Sequence, residues 1–268
     1  MTGDTPRKGY EPRLRTRLTR YMQFGPYVDF LSKGVYLPSV RVFSDPWEGH
    51  VFHSISAKPT SNRGALARTI NNSKRWIYAS CWHAADHESY AMWRIYGQDS
   101  GIAIHTEYSR LKELMASIRP GGRAASSLLT TVQYVQPVDG RLPQYDSDRI
   151  YSTFFGDPED VDRDIWRQVM QHCLALKPLA YEYEKEVRLL VLDPAAPRFW
   201  DQMIESENDP GIRVELDPST FLVGVSVSPW APDWFLDAVA LVTAKLGVKG
   251  IPVTKSTLYN APKGDPFK

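Results

Sequence analysis

Apolar and polar positions alternate most clearly late in the chain. Val187, Leu189 and Val191 interleave with Arg188, Leu190 and Leu192, and the run stops at Asp193-Pro194. Period two, β-branched content and a proline stop predict a strand. Extended backwards, the alternation takes in Tyr181-Glu-Tyr-Glu-Lys-Glu186. It sets Glu182, Glu184 and Glu186 on one face, roughly 6.5–7 Å apart by the strand rise, with Tyr181, Tyr183, Lys185 and Val187 on the other. Three carboxylates in a row repel and do nothing for an ordinary solvent-facing strand. They are either a face neutralised by Arg188 and nearby lysines or an acidic rail at the mouth of a cleft.

The same periodicities divide the rest of the chain. Leu18–Phe24 predicts a strand, broken by Gly25-Pro26, and Tyr27–Lys33 a short helix ending at Gly34. Val35–Ser39, Trp76–Trp82, Gly101–Thr106 and Thr130–Val135 read as strands, and Ser89–Tyr96 and Tyr108–Ile118 as helices. Further helices are expected around Arg63–Ser73, over Asp157–Leu176 (ended by Lys177-Pro178) and at Arg198–Ile204. Phe221–Val227, Pro232–Leu246 and Ile251–Leu258 give a closing strand, helix and strand. No regular strand-helix-strand repeat is long enough for a doubly wound sheet. The expected fold class is α+β, a single domain over residues 18–268 built on a curved mixed or antiparallel sheet with flanking helices. Residues 1–17 carry Arg7, Lys8, Arg13, Arg15 and Arg17 among prolines and glycine, as a flexible basic arm would.

Composition narrows the class. The chain has 268 residues, 43% of them apolar, enough for a substantial core. A net charge of +1 gives no global electrostatic argument for nucleic acid or membrane. Cys81 and Cys173 stand in unlike contexts and do not form a disulfide framework, which fits a reducing cytoplasm. No apolar run reaches transmembrane length, and no apolar signal-peptide core opens the chain. Cys81-x-His83-x3-His87, with His50 and His53, has some zinc-ligand character, but the histidines read better as hydrogen-bonded polar residues and Cys81 as a small core residue. There is neither a Walker-type loop nor a dinucleotide-binding glycine fingerprint.

Several stretches together resemble the bacterial family of domain of unknown function 2971. They are Arg20-Tyr21, the turn Phe43-Ser-Asp-Pro-Trp-Glu48, Ala79-Ser-Cys-Trp-His83, Met92-Trp-Arg-Ile-Tyr96, Gly101-Ile-Ala-Ile-His105 and Tyr183-Glu-Lys-Glu-Val-Arg188. Ser44 departs from the family's usual Asn, and Val187 stands where an aromatic is common. The resemblance implies little mechanism. Some relatives look like phage-defence or toxin-associated proteins.

Three chemistries are compatible with these residues. In an ADP-ribosyltransferase-like enzyme, an Arg on the first strand holds NAD, a Ser-bearing second strand shapes the nicotinamide pocket, and a Glu-x-Glu strand steadies an oxocarbenium-like ribose, much as glycosidase carboxylates do. Arg20, Ser39 and Glu184-Lys-Glu186 occur in that order. Glu186 takes the catalytic role, Glu184 faces the acceptor, Tyr21 or Trp47 stacks on nicotinamide or adenine, and Arg188 joins the binding set. NAD is then a substrate rather than a covalently held cofactor, with protein, nucleic acid or water as acceptor. In the second reading Asp45, Glu48, Glu184 and Glu186 hold a divalent metal for a hydrolase or nuclease, with Lys185 and Arg188 on phosphate. In the third, Glu184, Glu186 and Arg188 form a structural ion-pair network in a non-catalytic protein whose cleft, lined by aromatics such as Trp93, binds a ligand or partner.

Overall fold

The computed structural model describes residues 11–45, 47–48, 74–138, 174–194 and 210–259. The helices expected at Arg63–Ser73, Arg198–Ile204 and over most of Asp157–Leu176 fall outside them. The chain is α+β, with a mostly antiparallel sheet and flanking helices. Its contacts group into two compact units, each assembled from separated segments: residues 36–81 and 115–212 in one, and 13–35, 82–114 and 213–268 in the other.

In the first unit, strand β8 (Glu186–Leu192) pairs antiparallel with β5 (Ser126–Thr131), from Thr131 opposite Val187 to Ser126 opposite Leu192. On its other side lies β3 (Ile77–Ala84), which gives this unit its first part. β8 has neighbours on both edges and is also buried on both faces: Val187, Leu189, Leu190 and Val191 are fully covered. The near-continuous apolar run at Leu189–Leu192 reflects this, since a strand covered on both faces has no solvent side to alternate with. Thr130–Val135, expected as one strand, is two. β5 ends at Thr131, and β6 (Gln133–Val135) pairs parallel with β7 (Leu176–Pro178). Leu176 therefore belongs to a strand, not to a helix end, and Lys177-Pro178 continues that strand.

The acidic segment differs most from the period-two expectation. Leu179–Glu184 is a 3₁₀ turn, not a strand, and Lys185 closes it in the left-handed conformation at φ 41°. Only from Glu186 does the chain extend. Alternating Tyr and Glu mimic a strand, but Pro178 fixes its own φ, and the turn's hydrogen bond from Lys185 N–H to the Glu182 carbonyl holds the coil.

In the second unit, β1 (Arg17–Gln23) lies between β4 (Gly101–Glu107) and the last residues of β3, antiparallel to both. Arg17, at the end of the expected basic arm, is already in β1. β10 (Gly224–Val227) runs antiparallel to β4 and parallel to the short β11 (Val253–Lys255). Helix α1 (Phe24–Lys33) starts earlier than expected because Pro26 sits in its first turn, where its missing N–H costs nothing. The aromatic helix is a short α2 (Tyr90–Met92) running into a π-turn at Trp93–Gly97. α3 (Tyr108–Ser117) follows β4, and a single turn, α4 (Pro218–Phe221), precedes β10. α5 (Asp233–Lys245) buries Phe235, Val239 and Thr243. No described helix is long and apolar enough to cross a membrane.

Candidate functional site

The site grows from the kink at Lys185. A strand would have carried Glu182 on the same face as Glu184 and Glu186, but the 3₁₀ turn leaves Glu182 exposed while Glu184 and Glu186 are buried. The left-handed residue between those two lets both carboxyls reach one cation, the ammonium of Lys177 on β7. Its Nζ lies 2.6 Å from Glu184 Oε2 and 3.4 Å from Glu186 Oε1. Two more acids join from the turn after β2 (Val35–Pro38): Glu48 Oε1 at 3.3 Å and Asp45 Oδ2 at 3.7 Å. Lys177 also lies 5.0 Å from the centre of the Tyr181 ring.

Arg188, two residues along β8 from Glu186 and on the same face, binds the other side of the carboxylates. Its Nε donates to Glu186 Oε2 at 2.5 Å, and its two terminal nitrogens grip both oxygens of Glu48 at 2.7 Å each. Nη1 also donates to the Leu174 carbonyl at 2.7 Å. Arg188 is 1% exposed, so a charge this deep needs such pairing. With its guanidinium so engaged, Arg188 positions Glu48 and Glu186 rather than presenting a fork to a phosphate. The Glu186 N–H donates to the Tyr134 hydroxyl at 2.9 Å, fixing the strand start.

Four carboxylates around Lys177 and Arg188 exceed the positive charge available, and protonation responds. Burial raises the pKa of Glu184, Glu186 raises it further, and Lys177 pulls it back, leaving it at about 7. Burial also opposes charge on Glu186, but Arg188 and then Lys177 outweigh it and hold this carboxyl well below the ordinary carboxylate range. A hydrogen bond between the two carboxyls raises one and lowers the other, as it does when the proton rests on Glu184. Lys177 is held charged: burial works against the ammonium, but Glu186 and Glu48 more than offset it. Cys81 on β3 is unsuited to nucleophilic work, since burial and then Glu186 push its thiol up to about 12.

The structure thus brings together Asp45, Glu48, Glu184, Glu186 and Arg188. Ser39 stands apart from the carboxylates' contacts: its hydroxyl accepts from the Arg41 N–H at 3.2 Å and donates to the Lys74 carbonyl at 3.0 Å. The Trp47 N–H donates to Asp45 Oδ1 at 2.9 Å, the capping geometry of an Asp turn, and its ring is half-buried. Arg20 and Tyr21 lie on β1 in the second unit. There the Tyr21 ring packs edge-on against Trp93 at 4.9 Å, and its hydroxyl accepts from the Ser89 N–H at 3.1 Å. Trp93, expected to line a cleft, is fully buried in that aromatic cluster. His83 is buried beside Tyr21, and His87 is exposed. Among the described residues, no group of three His, Cys, Asp or Glu side chains is disposed to hold a metal. The sequence reading missed Lys177, the centre of the cluster. A lysine directly after the apolar run Leu174-Ala175-Leu176, followed by so many acids, was the available signal.

Residues 92–189 match the family described as Protein of unknown function (DUF2971). That span includes Met92–Tyr96, Gly101–His105, Lys177 and the Glu184–Arg188 motif. Two solved structures resemble the chain at low identity. DarT from Thermus sp. 2.9 in complex with NAD+ aligns over 90% of this chain and 96% of its own, with a TM-score of 0.37 and 7% identity. The same protein in complex with ADP-ribosylated ssDNA aligns over 93% and 98%, with a TM-score of 0.38 and 10% identity. No curated protein matches the chain.

Proposed function

We propose that this protein is an NAD-consuming enzyme of the ADP-ribosyltransferase kind, with Glu186 and Glu184 as its working carboxyl pair. The observation that carries the reading is the geometry of two buried carboxyls on one ammonium, Glu184 and Glu186 on Lys177, with Arg188 on Glu186 alone of the two. Burial and the like charge of Glu186 then raise Glu184 to about 7, while Arg188 and Lys177 hold Glu186 down. Environments that push paired carboxyls apart assign them separate acid–base roles. In the proposed reaction the bond between ribose C1′ and the nicotinamide nitrogen breaks, and its electron pair leaves with nicotinamide. The ionised Glu186 steadies the positive charge that develops on the ribose. An acceptor hydroxyl, amine or water then bonds to C1′ and gives its proton to Glu184, which near neutral pH can take it and release it to solvent. Lys177 and Arg188 hold the two carboxyls in register. Bacterial conflict, as phage defence or a toxin, is the setting in which such chemistry would serve.

Nicotinamide release from NAD tests this, read alongside calorimetric binding of NAD. Glu186→Gln should lower release by at least about a hundredfold while still binding NAD, and Glu184→Gln should lower transfer by about 10²–10⁴-fold. Neither heat nor nicotinamide release with the wild type would end the proposal. Release that survives Glu186→Gln, with only stability reduced, would instead favour the structural network.

The metal-dependent hydrolase reading has only the convergence of Asp45, Glu48, Glu184 and Glu186 on Lys177 behind it, and no group among the described residues is disposed to hold a metal. Lys177 occupies the centre a divalent ion would need, so metal binding requires that ammonium to move.

A further inference from the structure

The sheet of the second unit carries a pocket of about 300 Å³ that the carboxylate chemistry does not use. Its floor follows from strand register. Arg17 and Thr19 alternate onto one face of β1, opposite Glu107 and His105 of β4, and Gly224 of β10 stands opposite His105. Because position 224 has no side chain, the floor opens there: a Cβ would meet His105 Cδ2 at 3.6 Å and Pro252 Cγ at 3.8 Å, so the space would accept a methyl group.

The lining combines two arginines, Arg15 and Arg17, with one carboxylate, Glu107, the hydroxyls of Ser226 and Thr254, and an apolar part from Val223, Val225 and Pro252. Arg15 and Arg17 outnumber the one lining carboxylate, Glu107, and no ion pair within 4.0 Å joins either arginine to a carboxylate among the described residues. Glu107, across from Arg17, is 4.0 Å from Arg110 instead. Below the arginines runs a buried chain of polar side chains. Thr19 Oγ1 is 3.0 Å from His105 Nδ1, and His105 Nε2 is 2.8 Å from Ser226 Oγ. Burial and the nearby Arg17 lower the His105 pKa to about 3, so the ring is neutral and carries one N–H. A neutral ring can direct this chain in either sense. In one, Thr19 donates to Nδ1, Nε2–H donates to Ser226, and the Ser226 hydroxyl is left to donate into the pocket.

We propose that this pocket binds a phosphate group, free or as the ester of a small molecule of sugar-phosphate size. Two guanidiniums supply charge-assisted, bidentate donors, the Ser226 hydroxyl supplies a third contact, and the volume lies at the lower end of small-molecule sites. An oxyanion above Ser226 would select the chain sense in which His105 is protonated at Nε2.

The test is calorimetric titration of the full chain with inorganic phosphate and, separately, with ribose 5-phosphate, followed by ¹⁵N NMR of the His105 ring. Binding is expected, weakened at least about tenfold by Arg17→Ala and by Arg15→Ala. Gly224→Val should abolish it by filling the floor, and Gly224→Ala should weaken it with thermal stability preserved. Tighter binding of the ester identifies a phosphorylated metabolite, and equal binding identifies free phosphate. At saturation the ¹⁵N signals should be those of the Nε2–H tautomer. Absence of binding by either probe, binding that survives both Arg17→Ala and Gly224→Ala, or a bound state in which His105 is protonated at Nδ1 would overturn the proposal.

Discussion

Arg188 grips both carboxylate oxygens of Glu48, at 2.7 Å each, across 140 residues of sequence. The pair ties the Asp45–Glu48 turn to the central strand of its unit and at the same time fixes Glu186, which shares the guanidinium.

Removing both partners should therefore cost less than the sum of removing each alone. Glu48→Ala leaves a buried Arg188 with only one of its two carboxylate partners, and a loss of about 3–5 kcal/mol is expected. Glu48→Gln combined with Arg188→Met should lose clearly less than the sum of the two single changes. Urea unfolding of the four proteins closes the cycle. A strictly additive result would mean that the guanidinium and the carboxylate do not depend on each other.

Lys177 is the positive centre of the acidic cluster, so its loss should convert the cluster into a cation site. Lys177→Ala should be destabilised by about 3–5 kcal/mol without added metal. Manganese or calcium should restore part of the loss, because hard divalent cations take several carboxylate oxygens. Thermal unfolding with and without the ion measures both effects. A variant indifferent to the ions would show that the carboxylates are not held open once the ammonium is gone.

Stability should follow pH in two opposite ways. Glu184 has a raised folded-state pKa, so its contribution is complete below the ordinary carboxylate value, falls as pH rises, and is gone above about 7. Glu186 has a lowered one, so its contribution is present above the ordinary value and is lost as pH falls towards about 2. Denaturant midpoints measured across pH should thus decline from about pH 5 to 7 in the wild type and decline less in Glu184→Gln. An identical slope in both proteins would remove Glu184 from the explanation.

The left-handed backbone at Lys185 gives a test independent of charge networks. A side chain there costs roughly 1–2 kcal/mol relative to a relaxed conformation, so Lys185→Gly should stabilise the protein by up to about 1 kcal/mol. Lys185→Val should destabilise it, because a β-branched residue tolerates positive φ poorly. Chemical denaturation of the two variants reads the difference.

Much of the fold was legible in the residues themselves. Gly101–Thr106, Tyr108–Ile118 and Pro232–Leu246 show periodicities with one interpretation, and the structure has β4, α3 and α5 there. The Glu-x-Glu-x-Arg run marked a charged cluster, with a structural ion-pair network as one of several readings. Its geometry was hidden because the Tyr-Glu alternation of 181–186 fits a strand as well as a 3₁₀ turn. The difference lies in Pro178 and in a left-handed lysine that no periodicity encodes. Lys177 was hidden for a related reason: beside a proline it reads as a helix stop, and only long-range pairing of β7 with β6 carries it to the carboxylates. Trp93 shows the limit on the aromatic side, since a fully buried tryptophan and a cleft tryptophan look the same in sequence.

The most direct measurement is a ¹³C NMR titration of the Glu184 and Glu186 side-chain carboxyls in the intact protein. The structure predicts two separated steps: Glu184 changing near pH 7, and Glu186 remaining ionised to well below the ordinary carboxylate range. Two overlapping steps near the ordinary glutamate value would contradict the separation of the two carboxyls, and with it the division of labour assigned to the pair.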